Sequence, residues 1–173
     1  MAHSLTRGPT VFGEFNGLPV HALVVHAAVI FTPIAALLGF GLWLPKWRMR
    51  LRWPLVGVVA LAFATVSVAV SSGKVLRRAL GSQLAGTDNP AGKLVEHHKV
   101  LAERLWWVLL AYLLVALVIA LFLPRLDNKP AAQSLALVVA VLAIVVIVLV
   151  IQVGDAGAKA RWNPDGSFDY SGN

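Results

Sequence analysis

Four long apolar stretches separated by polar, proline- and glycine-rich segments set the reading of this chain. The first covers residues 23–44, between Pro19 and Pro45, and carries Pro33 inside it. The second covers 55–70 and fades through Ser71, Ser72 and Gly73; the third, 105–123, stops at Pro124; the fourth covers 131–153. Each approaches or exceeds the roughly 20 apolar residues that cross a hydrocarbon layer about 30 Å thick. The fourth is rich in valine, yet an isolated lipid-facing strand would leave its backbone unpaired, so a helix is expected there too. The expected elements are helices at about 20–44, 54–78, 93–123 and 131–160, after a polar segment 1–19 and before a loose polar tail 163–173. The start lacks a cationic stretch leading into a short apolar core, so it does not read as a signal peptide. Two connections are short, PKWRMRLRWP and PRLDNKP, which makes neighbouring helices antiparallel. The fold class is therefore all-α, an integral membrane, up-and-down four-helix bundle filling residues 20–162. No internal repeat is visible in the letters.

Composition agrees. Of 173 residues, 58% are hydrophobic and 13% charged, against about 25% charged in ordinary soluble domains. A cytosolic enzyme, a disordered tail and a nucleic-acid-binding domain are excluded. The net charge of +7 comes from cations beside apolar runs, so the partner is the lipid bilayer and its anionic headgroups. With no cysteine, iron–sulfur clusters, thioether-attached haem and thiol catalysis are impossible. Lys46, Arg48, Arg50 and Arg52 crowd the first connection, and Arg125 and Lys129 the third. This density puts both connections in the cytoplasm and both termini outside a plasma membrane. Trp43, Trp47 and Trp53 would mark one interface, Trp106, Trp107 and Trp162 the other.

Threading an antiparallel bundle gathers the unusual side chains at one end. Segment one enters there with His21 and His26. Segment two leaves through Ser67, Ser71, Lys74 and Arg78, at the spacing of one helix face. Segment three enters with His97, His98 and Arg104, and segment four leaves with Gln152, Asp155 and Lys159. The opposite end holds cations and tryptophans expected to face lipid. His26 lies about one turn inside its apolar run, where an ionisable group needs a partner. If segments one and three sit diagonally, His26 and His97 face each other across the core. That pairing would suit one haem b held by two imidazoles, its propionates near Lys74, Arg77, Arg78 or Arg104. Depth stands against it, since His97 precedes its apolar run by about 12 Å of helix. A metal ion held by His21, His26, His97 or His98 with Asp155 is the smaller alternative.

At these residues the chain resembles the membrane proteins grouped as domain of unknown function 2231. The elements that carry the resemblance are LPVHALVVHAAVIFTPIA, SSGKVLRRAL, EHHKVLAERL and GDAGAKARW. The resemblance implies a four-helix membrane protein and no particular activity. Similar proteins often carry histidine where this chain has Asp155, in a Gly-His-x-Gly-Ala pattern. The resemblance thus implies at most one haem here.

Two functions follow as expectations. One is a small membrane protein whose histidine end binds one haem b or a metal ion for electron transfer. The other is a non-catalytic accessory or scaffold subunit of a larger complex, or a homo-oligomer, with structural histidines. No serine–histidine–acid triad, phosphate loop or carboxylate pair comes together, so no enzyme is assigned. Transport is the weaker reading, because no charge stands at the bilayer midplane.

Overall fold

The computed structural model describes residues 13–81, 89–125 and 129–169. A two-stranded hairpin, β1 (Glu14–Phe15) and β2 (Leu18–Pro19), turns through Asn16 and Gly17 and leads straight into α1 (Val20–Gly41). Three longer helices follow: α2 (Pro45–Ala79), α3 (Pro90–Phe122) and α4 (Lys129–Trp162), with a single 3-10 turn at Leu123–Arg125. All four helices are long and apolar enough to cross a membrane. Each packs on the next around a ring, α1 on α2, α2 on α3, α3 on α4 and α4 on α1, which leaves α1 and α3 on one diagonal. The expected four-helix membrane bundle is present.

The first connection differs from expectation. Residues 45–54 are not a loop but the opening turns of α2. Proline at the first helical position needs no amide hydrogen, so Pro45 starts the helix immediately. This brings Arg48 back under the end of α1. It is 9% exposed, and its Nε donates to the Leu42 carbonyl at 2.8 Å while Nη2 reaches the Trp43 carbonyl and Gln133 Oε1. The last carbonyls of α1, Gly39 to Gly41, accept from the amides of Leu42 to Leu44, and Arg48 supplies donors to the Leu42 and Trp43 carbonyls that follow them. That end therefore does not hold lipid-facing cations alone. Within the described part of the tail, Asn163 and Phe168 exchange side-chain and main-chain hydrogen bonds across the turn at Gly166.

The buried positions contain a repeat that the letters conceal. In α1 and α3 the inward residues pair at a constant separation of 77: Ala28 with Leu105, Thr32 with Leu109, Ala35 with Tyr112, Gly39 with Ala116, Leu42 with Ile119. In α2 and α4 the separation is 84: Leu55 with Val139, Val59 with Ala143, Ala62 with Val146, Val66 with Val150, Ser72 with Ala156. The hairpin α1–α2 thus presents the same register to the core as α3–α4, as two halves related by an approximate two-fold axis along the bundle. Bulk is complementary rather than repeated. The α1 stripe is small and the α3 stripe is large, so side chains of α3 fill the space that α1 leaves.

Tyr112 shows this most directly. It is fully buried, and its hydroxyl donates to the Ala35 carbonyl at 3.0 Å. A β-carbon at Gly39 would stand 2.0 Å from that hydroxyl oxygen and 3.0 Å from Val139 Cγ1. Overfilling a packed core costs about 1–3 kcal/mol. Gly39→Ala should therefore lower the thermal midpoint in detergent clearly. Tyr112→Phe in the same chain should restore part of the loss, since the clash is with the oxygen. Equal, additive losses from the two substitutions would contradict this packing.

Candidate functional site: a histidine pair across the bundle axis

At the end where α1 begins and α4 leaves, two histidines from diagonal helices meet. The His21 ring lies 6.2 Å from that of His98, centroid to centroid, with planes at 89°. Each ring is tied to the second helix of its own hairpin. His21 Nδ1 is 2.9 Å from the Ala69 carbonyl, and His98 Nδ1 is 2.9 Å from the Val153 carbonyl. A carbonyl can only accept, so both Nδ1 atoms carry hydrogen and both Nε2 atoms of the neutral rings keep a lone pair. The contacts obey the repeat: the histidines are 77 positions apart and their carbonyl partners 84.

Glycine makes the approach possible. One turn beyond each carbonyl stands Gly73 or Gly157. A β-carbon there would lie 3.2 Å from Cε1 and Nδ1 of His21, or 3.1 Å from the same atoms of His98. The neighbouring inward residues, Ser72 and Ala156, are also small and buried. At this level α2 and α4 therefore present small side chains beside the two rings. Ser72 donates to the Val68 and Ala69 carbonyls and so spends its hydroxyl within α2.

The other expected residues are dispersed. His26 does not face His97. It is exposed on the outer face of α1, with Nδ1 2.7 Å from the Ala22 carbonyl of its own turn. The reason is helical register. His21 lies seven and fourteen positions before the buried Ala28 and Ala35, whereas His26 is two before Ala28 and so on the opposite face. His98 likewise precedes Leu105 and Tyr112 by seven and fourteen, which turns it inward and leaves His97 exposed. The depth difficulty disappears with the change of partners, because His21 is shallower than His26 and α3 begins early, at Pro90.

Asp155 is exposed and pairs with Lys159 at 2.8 Å, away from the imidazoles. Among the described residues no group of three histidine, cysteine or acidic side chains could share a metal ion. Lys74, Arg78 and Arg104 are exposed at the same end and make no ion pair among the described residues. Arg77 instead binds Glu96 at 2.6 Å, and Glu96 also accepts from Lys99, tying α2 to α3. Gly73, Gly157 and the seven-residue spacing were the signals in the letters that single out His21 and His98.

A family model described as "Predicted membrane protein (DUF2231)" matches residues 17–166. The chain belongs to this family of membrane proteins. No curated protein and no solved structure matches it.

The close approach at the two glycines has a measurable consequence. Gly73→Ala and Gly157→Ala should each lower the thermal midpoint, by similar amounts, because an imidazole held on its carbonyl must give by a few tenths of an ångström. Gly57 and Gly154 have open space where a β-carbon would go. Alanine there should be neutral or stabilising by up to about 1 kcal/mol, the usual helix-interior gain. Equal effects at all four positions in a thermal melt would remove the special role of the histidine pair.

Proposed function

We propose that His21 and His98 are the two protein ligands of one haem b, and that the protein carries electrons within a plasma membrane. The observation that carries this reading is the 6.2 Å separation of two imidazoles whose Nδ1–H groups are already engaged. Two rings this close, one from each hairpin, could both reach a single metal through Nε2. Metal-ligating histidines ordinarily donate their other nitrogen to a carbonyl or carboxylate, which fixes the tautomer and aims the lone pair. Both of these rings are held in that way.

The number of donors favours haem over a bare ion. A zinc or manganese ion needs three or four protein ligands, whereas haem brings four nitrogens of its own and asks for two. The small residues of α2 and α4 beside the rings suit a flat macrocycle. Lys74, Arg78 and Arg104 are within the same end of the bundle and suit propionate carboxylates. Bound haem would supply one-electron chemistry; the chain supplies its ligands, their orientation and the apolar enclosure. The lysine and arginine density at the far end (Lys46, Arg50, Arg52, Arg125) supports placing the histidine end and both termini outside the cytoplasm.

Protein purified from cells supplied with haem should show a Soret band and about one haem per chain. His21→Asn and His98→Asn test the ligands without removing the helix tie, since an asparagine amide can still donate to the carbonyl. Each should abolish the low-spin spectrum, while His26→Asn and His97→Asn should leave it intact. A folded protein with no Soret band after reconstitution with haemin, or a double Asn variant that keeps it, would overturn the proposal. The first outcome would favour the scaffold reading, in which the imidazoles serve only to tie helices.

A further inference from the structure

The seam between α2 and α3 opens sideways into a groove of about 450 Å³, within the size range of small-molecule sites, about 300–1,000 Å³. Its apolar wall is an aromatic ladder. Phe63 packs on Trp106 at 5.1 Å, and Trp106 meets Trp107 edge-on at 4.7 Å. Trp106 spends its indole hydrogen on Ser67 Oγ at 2.8 Å, and Ser67 passes its own to the Phe63 carbonyl. Trp107 stays 65% exposed. Three further lining side chains are polar, Ser71, Lys74 and Glu103. Among the described residues none of these three makes a hydrogen bond or an ion pair, although a cation and a carboxylate face the same groove.

Depth and charge narrow the guest. Glu103 is seven residues further along α3 than Glu96, whose ion pair with Arg77 marks the rim, and seven residues of helix span about 10 Å. A phosphate would be repelled by this carboxylate and would find Arg77 and Arg78 higher up. A neutral ring with oxygens on opposite edges has no such conflict. Lys74 and Ser71 can donate to its carbonyls, Glu103 can accept from its hydroxyls when reduced, and the face of Trp107 can stack on the ring. We infer that this groove binds the headgroup of a lipid-soluble quinone or quinol. The choice of a redox-active guest rests on the haem reading; the groove's shape and polar groups do not. Ser71 and Lys74 belong to the same turns of α2 as Ala69 and Gly73, which contact His21, so one helix separates the guest from the histidine pair.

The full-length protein in detergent, titrated with a short-tailed ubiquinone analogue, should show saturable tryptophan quenching at one equivalent per chain. Lys74→Gln should weaken binding of the quinone, and Glu103→Gln binding of its reduced quinol form, each about tenfold, in line with loss of a charge-assisted hydrogen bond. Trp107→Leu should weaken binding too, and phosphatidylethanolamine or phosphatidylglycerol should not displace the analogue. Quenching that never saturates, that is the same in all three variants, or that phospholipid reverses would overturn the inference. The two readings fail separately. Protein that takes up no haemin yet binds the analogue ends only the haem assignment, and haem-loaded protein that does not bind it ends only this one.

Discussion

An imidazole near the hydrocarbon layer must place its N–H on something, and in this bundle it places it on the main chain of the neighbouring helix. His21 on the Ala69 carbonyl and His98 on the Val153 carbonyl are the contacts around which the histidine end is arranged. Buried polar groups in lipid are costly unless satisfied. Satisfying these two through Nδ1 settles three things at once: the tautomer, the direction of Nε2, and the depth at which α1 meets α2 and α3 meets α4. Gly73 and Gly157 are the steric condition for both contacts.

The same contact occurs twice because the bundle is built twice. Two hairpins with one inward register lie side by side, and the features related by the axis are geometric rather than chemical. Small residues of α1 oppose large residues of α3, and Tyr112 reaches across to the backbone at Ala35. A ligand shared by His21 and His98 would lie on that axis, approached alike from both halves. Arg48 has no counterpart of its kind, since Ala132 occupies the related position. It closes the far end by binding the Leu42 and Trp43 carbonyls just beyond α1, and so the symmetry is broken at the end opposite the histidines.

Much of this was legible in the chain. Long apolar runs, their bounding prolines and the short connections specify four antiparallel helices. The same threading brings every described histidine to one end. The identity of the facing pair is not legible in hydropathy, which says how deep a residue lies and not which way it points. His26 is deeper than His21 yet on the lipid side, and only the seven-residue spacing to Ala28 and Ala35 separates them. The repeat was hidden for a related reason: Ala35 and Tyr112, or Thr32 and Leu109, share a position but no chemistry. Arg48 was indistinguishable from Arg50 and Arg52 in the letters, because its burial depends on α2 starting at Pro45 rather than nine residues later.

The central claim is that two imidazoles, one from each hairpin, meet across the bundle axis with both Nδ1 hydrogens placed on main-chain carbonyls, which leaves Nε2 of the neutral ring bare. Solid-state nitrogen NMR of histidine-labelled protein in lipid bilayers, without added ligand, reads this directly. Comparison with His21→Asn and His98→Asn assigns the signals. The account predicts that the neutral ring of each residue carries its hydrogen on Nδ1 and none on Nε2. A neutral ring of either residue with its hydrogen on Nε2 would contradict it.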